Sequence, residues 1–240
     1  MESFYTMGKR LTKKKWRRRK RIQRFLRVSF LTILTFAIFL AVVSFGNEWI
    51  VRRNSILNQY EDSEFILNGV TLGDDQVIEA QLLTKNPYSR PGTKMKDING
   101  IVIHYVGNPE TTAENNRNYF EGLAGKQSTY ASSHFVVGLE GEIIQCVPVN
   151  EVAYCSNDRN DDTIGIEVCH PDTTGKFDPD TYESVVALTA YLCDMFELTT
   201  DDVIRHYDVT GKRCPLYYVD HEDAWIQLKN DVEDALWDLK

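Results

Sequence analysis

The stretch Val203–Pro215 (VIRHYDVTGKRCP) packs a histidine, an aspartate, a lysine and a cysteine into a turn rich in Thr and Gly. A thiolate and two neutral imidazoles suit a tetrahedral zinc that keeps one position open for water. His104, His206 and Cys214 would make such a set. Taken singly, a histidine in a strand is more often a hydrogen-bonded core or surface residue than a ligand, so each candidate gains weight only from the others. Water bound to a catalytic zinc must lose a proton near neutral pH before it attacks a carbonyl, and a nearby carboxylate should take it.

Glu167 suits that task. It interrupts the apolar run Thr163–Cys169 (TIGIEVC), facing opposite to Ile164, Ile166 and Val168, and Gly165 leaves room above the sheet. An uncompensated buried glutamate is costly, so its presence there calls for a partner or a job. The other open reading is an edge residue facing water.

These residues need a scaffold that brings distant segments together. Gly100–Val106 (GIVIHYV) reads as a buried strand, with Ile101, Ile103 and Tyr105 on one face and Val102, His104 and Val106 on the other. Thr112–Leu123 reads as a helix with a threonine cap, and Ser133–Leu139 with Glu142–Val147 as a hairpin turning at Glu140-Gly141. A helix opened by an Asp180/Glu183 capping box runs to about Phe196, Val203–His206 is a short strand, and Glu222–Leu239 a final amphipathic helix. Strands interleaved with helices predict an α/β domain built on a single mixed central β-sheet flanked by helices, spanning residues 76–240.

The motifs IVIHY (Ile101–Tyr105), SSHFVVGLEGEIIQCVP (Ser132–Pro148), IGIEVCHPD (Ile164–Asp172) and IRHYDVTGKRCP (Ile204–Pro215) resemble the zinc-dependent N-acetylmuramoyl-L-alanine amidases, a family that includes phage endolysins and peptidoglycan recognition proteins. The last motif is the most specific, since His, Lys and Cys keep the family's order and spacing. The resemblance implies Zn2+ held by His104, His206 and Cys214, with Glu167 as general base and Lys212 as stabiliser of the tetrahedral oxyanion. It implies hydrolysis of the amide between the muramic acid lactyl group and L-alanine of peptidoglycan, and places His134 near the substrate cleft. Tyr130 and His170 are further candidates for the cleft, and Asp208 for orienting His206. Some relatives hold peptidoglycan without cutting it; those lack the metal-site cysteine, which favours catalysis here.

Before this domain the chain changes character. Twelve Lys or Arg against one acid leave Met1–Arg27 at +11, so the remainder carries −19 of the formal net charge of −8. Val28–Phe45 (VSFLTILTFAIFLAVVSF) is uncharged and as a helix would span roughly 27 Å, close to the ~30 Å hydrocarbon core. The expected organisation is therefore a basic cytoplasmic tail at 1–27, a transmembrane helix at 28–45, a linker at 46–75 and the domain outside a bacterial cell membrane. A cleaved signal peptide is the rival reading. The basic run taken alone also fits nucleic-acid binding, but the adjoining apolar segment explains it more economically, so no nucleic-acid partner is expected. The acidic outer part argues against general electrostatic attachment to anionic wall polymers. The odd count of five cysteines leaves Cys214 for the metal, with Cys146, Cys155, Cys169 and Cys193 either bridged or free.

Overall fold

The computed structural model describes residues 57, 60–73 and 76–239, all within the unit Arg53–Lys240. The expected basic tail, membrane helix and first part of the linker lie outside the described residues. Among those described, no helix is long and apolar enough to cross a membrane.

Seven strands form one mixed sheet: β1 (Thr71–Leu72), β2 (Gln76–Ala80), β3 (Gly100–Ile103), β4 (Phe135–Val137), β5 (Ile143–Gln145), β6 (Thr163–Val168) and β7 (Val203–Arg205), in the order β1-β2-β5-β4-β6-β3-β7. The pairs β2/β5, β4/β6, β6/β3 and β3/β7 are parallel, while β1/β2 and the β4/β5 hairpin are antiparallel. The central strands are continuous β-branched runs because both faces are covered. On one face Ile101, Ile103, Phe135, Val137, Ile164 and Ile166 pack against Leu188 and Leu192 of helix α2 (Pro179–Met195) and Leu228 and Val232 of the last helix (Glu222–Asp238). On the other, Val136 and Ile144 join Phe120 of helix α1 (Ala113–Lys126), Leu83 and Cys146.

Local chemistry sets the boundaries. Thr112 Oγ1 accepts the Asn115 N–H (3.1 Å) and Asn115 Oδ1 accepts the Thr112 N–H (3.2 Å), so α1 opens at the expected cap, and it continues beyond Leu123 to Lys126. Helix α2 starts earlier than the Asp180/Glu183 box predicts. Asp178 caps it by accepting from Thr181 N–H (3.0 Å), and Pro179 takes the first turn, where no N–H is needed. The hairpin turn is tied to α2 by Thr181 Oγ1 donating to the Gly138 carbonyl (2.8 Å) and Ser184 Oγ donating to that of Gly141 (2.7 Å). Gly141 has φ +79°, and a Cβ there would lie 2.8 Å from Ser184 Oγ, so only glycine fits so close an approach.

The expected linker is corrected in its second half. Phe65, Leu67 and Leu72 are buried in the core, and β1 pairs with β2. Gln145, itself buried, clamps the segment by accepting the Leu67 N–H (2.7 Å) and donating to the Phe65 carbonyl (2.8 Å). The domain therefore begins well before Gln76. All five cysteines are free, Cys146, Cys169, Cys193 and Cys214 buried and Cys155 partly so, as suits small apolar side chains in a core large enough to need no bridge.

Candidate metal centre

Strand register assembles the site. Ile103 of β3 lies opposite Ile166 of β6 and Arg205 of β7, both neighbours parallel to it. One residue further, His104 stands beside Glu167 and His206, at the carboxyl ends where open α/β sheets bind ligands. The His104 N–H still donates to the Ile166 carbonyl (2.9 Å), which holds that step of the ladder in place. The expected strand through His206 is one residue too long: Asp208 accepts from the Arg205 N–H (2.8 Å), and His206 opens the short helix α3 (His206–Thr210). Gly211, at φ +78°, ends α3, and the chain doubles back so that the Tyr207 N–H donates to the Cys214 carbonyl (2.9 Å) and the Tyr105 N–H to Cys214 Sγ (3.5 Å).

His104 Nδ1 lies 3.1 Å from His206 Nδ1 and 3.8 Å from Cys214 Sγ, and the three ligand atoms are all within 4.8 Å of one another. Tetrahedral bonds of ~2.0–2.1 Å to nitrogen and ~2.3 Å to sulfur would set donor separations of roughly 3.3 and 3.6 Å. The observed pair brackets those values, so the cluster could hold a metal ion. His206 Nε2–H donates to Asn157 Oδ1 (2.8 Å), which turns its Nδ1 lone pair toward the common centre, and His104 Nε2 lies 3.3 Å from Ser156 Oγ, a hydroxyl that can accept its N–H in the matching arrangement. Burial, then His206 and Lys212, hold His104 well below the ordinary histidine value; burial, then Lys212, lowers His206. Both imidazoles are thus neutral, as ligands must be. Burial, followed by Glu167, pushes the Cys214 thiol up to about 12. Such a thiol needs a cation beside it to ionise near neutral pH.

Ser156 and Asn157 were not legible as site residues, because nothing in the segment SND distinguishes it from an ordinary surface turn. Its one signal is an asparagine at φ +52°, in the left-handed region that asparagine tolerates. Asn157→Gly keeps that backbone while removing the acceptor that fixes His206. Metal affinity should fall ~10–100-fold in a competition titration against a chromophoric chelator.

Glu167 is partly buried, and its Oε2 is a buried atom with no hydrogen-bond partner among the described residues. Burial pushes its carboxyl up to about 8, against the opposing pull of Lys212. Lys212 is exposed, and its charge bears on His104, His206, Glu167 and Cys214. The space over Gly165 is filled rather than open: a Cβ there would lie 2.1 Å from Cys155 Sγ and 3.7 Å from His104 Nε2. Glycine lets the turn carrying Ser156 and Asn157 close onto the sheet.

Three expected cleft residues fare differently. His134 is fully buried; its Nδ1 accepts the Gly165 N–H (2.9 Å), its Nε2–H donates to the Glu151 carbonyl (2.8 Å), and burial lowers it to about 4. It locks β4 to β6 and presents no atom to a substrate, which corrects its assignment to the cleft. His170 is also buried. Its Nδ1–H donates to the Asp172 carbonyl (2.6 Å), and its ring stacks on Tyr105 with centroids 5.1 Å apart. Tyr130 alone of the three is exposed, at 62%. Asp208 binds the Arg205 guanidinium (3.0 and 3.1 Å) rather than His206.

Residues 94–216 match the model of the family described as N-acetylmuramoyl-L-alanine amidase. The sequence is 35% identical over 169 residues to the N-acetylmuramoyl-L-alanine amidase BlyA of Bacillus subtilis (strain 168), covering 62% of this chain and 44% of that protein. It is 33% identical over 165 residues to the N-acetylmuramoyl-L-alanine amidase CwlL of Bacillus licheniformis, covering 63% and 45%. The chain thus spans less than half the length of these two relatives. The catalytic domain of XlyA superposes with a TM-score of 0.56 at 25% identity, over 65% of this chain and 98% of that one. A mutant endolysin from Bacillus subtilis does so with a TM-score of 0.56 at 26% identity, over 65% and 99%.

Proposed function

Since the chain belongs to the N-acetylmuramoyl-L-alanine amidase family, we propose that it hydrolyses the amide between the muramic acid lactyl group and L-alanine of peptidoglycan stem peptides, using zinc held by His104, His206 and Cys214. The observation that carries this reading is the convergence of those three donors, each imidazole held by a polar neighbour at its Nε2, beside a carboxylate atom that has no hydrogen-bond partner among the described residues. Bound there, zinc would supply Lewis-acid activation of water and of the scissile carbonyl.

The chain's own groups divide the remaining work. Glu167 Oε2 takes the proton of the attacking water and returns it to the departing alanine nitrogen, so that one carboxyl serves as base and then acid. Without a cation beside it, burial holds this carboxyl at about 8; the charge of a bound metal would favour its ionised form, the one able to accept the proton. The Lys212 ammonium faces the negative charge that develops on the carbonyl oxygen. Lys212→Ala should lower kcat ~10²–10³-fold, the usual cost of one oxyanion donor, with little change in metal content.

The uncharged run 28–45 and the basic run before it support a single-pass anchor with the N-terminus cytoplasmic and the domain facing the wall. Full-length protein in detergent, incubated with purified wall, should release stem peptides with a free alanine N-terminus, lose this activity to a chelator and regain it with zinc. Retention of wall without release would identify a binding module instead.

A further inference from the structure

Asn150 is 7% exposed, and its Oδ1 is a buried acceptor with no hydrogen-bond partner among the described residues. Buried carbonyls are almost always paired, so an orphan of this kind marks a place suited to an outside donor. Asn150 lines a cavity of about 500 Å³, within the range of roughly 300–1,000 Å³ that holds small ligands. The segment 60–73, which Gln145 clamps to the domain, forms one wall with Tyr60 and Phe65, set edge to face with centroids 5.7 Å apart. Met95 and Asn150 form the other. The walls are joined: the Val149 N–H donates to the Phe65 carbonyl (3.2 Å), Asn150 Nδ2–H to Asp62 Oδ1 (3.1 Å), and the Met95 N–H to the Asn150 carbonyl (2.9 Å). Two exposed lysines complete the lining. Lys94 Nζ pairs with Asp62 Oδ1 (2.6 Å) and Lys96 Nζ with Asp161 Oδ2 (2.6 Å), so the charges cancel while each ammonium keeps N–H donors to spare. Met95 and Lys96 precede β3, and the Lys96 N–H donates to the carbonyl of Asp161 (3.2 Å), just before β6. The cavity therefore sits at the amino-terminal ends of these parallel strands, whereas the metal centre occupies their carboxyl ends.

We propose that this cavity is a second glycan site, taking the acetamido group of an N-acetylated amino sugar. It takes from the proposed function only that the chain works on a glycan carrying such sugars. An acetamido group offers an N–H, a carbonyl and a methyl together. The N–H supplies a donor to Asn150 Oδ1, a lysine ammonium donates to the carbonyl, and the methyl lies between Phe65 and Met95, both buried. Oδ1 is shielded from solvent, so entry displaces the side chains of Lys94 or Lys96, which are 49% and 82% exposed. The cancelled charge favours this neutral group over the carboxylates of a stem peptide. Holding the strand here while the metal centre engages another part of the polymer raises the local concentration of the scissile bond without changing the chemistry.

The test is hydrogen exchange of the full-length chain in a non-glycosidic detergent, with chitotriose, a neutral trimer of N-acetylglucosamine, against cellotriose, its counterpart without acetamido groups. At about three times its Kd, chitotriose should slow exchange in the segments 60–67 and 93–96 about fourfold, and cellotriose should not. Asn150→Leu and Tyr60→Ala should each weaken chitotriose binding about tenfold in calorimetry, the scale of one lost hydrogen bond or aromatic contact, with zinc content and cleavage of a soluble muramoyl peptide unchanged. Wild-type exchange that chitotriose leaves unaltered in both segments, or that cellotriose slows equally, overturns the site even if neither variant folds. Protection by a free stem peptide and none by chitotriose does the same. Those results leave wall cleavage standing as evidence for the amidase, whereas protection by chitotriose without any wall cleavage removes the amidase reading and keeps the site.

Discussion

Metal content measured after gel filtration should be stoichiometric in the zinc-loaded wild type and fall to background in Cys214→Ser. The thiol lies 3.8 Å from His104 Nδ1 and receives the Tyr105 N–H, a donor suited to a thiolate. A serine hydroxyl is a harder and far less acidic ligand with a shorter reach, so it replaces neither the charge nor the polarisability of sulfur. Removing a supporting partner of a ligand costs ~10–100-fold in affinity. Removing a first ligand should exceed that, and exceed the loss in Asn157→Gly. Full metal retention by Cys214→Ser would take this residue out of the site and leave two histidines with no closing ligand.

Glu167→Gln should behave in the opposite way, keeping the metal and losing ~10²–10⁴ in kcat, the range of a positioned general base. Glutamine preserves shape but cannot accept and return a proton. The same variant has a signature apart from activity. Burial keeps the carboxyl protonated up to about 8 from an ordinary value of 4.5. Across that window the folded, metal-free chain holds a proton that the unfolded chain has released, so its stability falls as pH rises. Glutamine does not titrate. The thermal midpoint of metal-free Glu167→Gln should therefore decline less between about pH 5 and pH 8 than that of metal-free wild type. Equal declines would show that Glu167 is solvated and place the base elsewhere.

How much of this the sequence disclosed depended on whether a residue's role was set by its own type or by what covers it. His104, His206, Cys214 and Glu167 were legible because imidazole, thiol and a carboxylate within an apolar run have few bland explanations in combination. The β3, β6 and β7 strands were legible from their β-branched runs, and Thr112 from its capping chemistry. His134 was misread for the converse reason. Its type fits a cleft, but parallel pairing sets it against Gly165, where the turn through Cys155 and the segment at Glu151 close over it. Ser156 and Asn157 act through a turn conformation that leaves no periodic trace. The ordered stretch 60–73 hid similarly, since Phe65, Leu67 and Leu72 bury singly against a distant Gln145 and form no repeating pattern.

The transverse alignment of Glu167 on β6 with His104 and His206, each one residue past the parallel strands β3 and β7, makes backbone spacing, ~4.8 Å per strand, the ruler that sets their separation. Length changes in the connecting segments leave that ruler untouched. A single inserted or deleted residue inside β3, β6 or β7 would rotate one member of the row to the helix-covered side. Variation among relatives should accordingly be tolerated between these strands and forbidden within them, which makes the three strand interiors poor places, and the surrounding loops good ones, to alter what the site accepts.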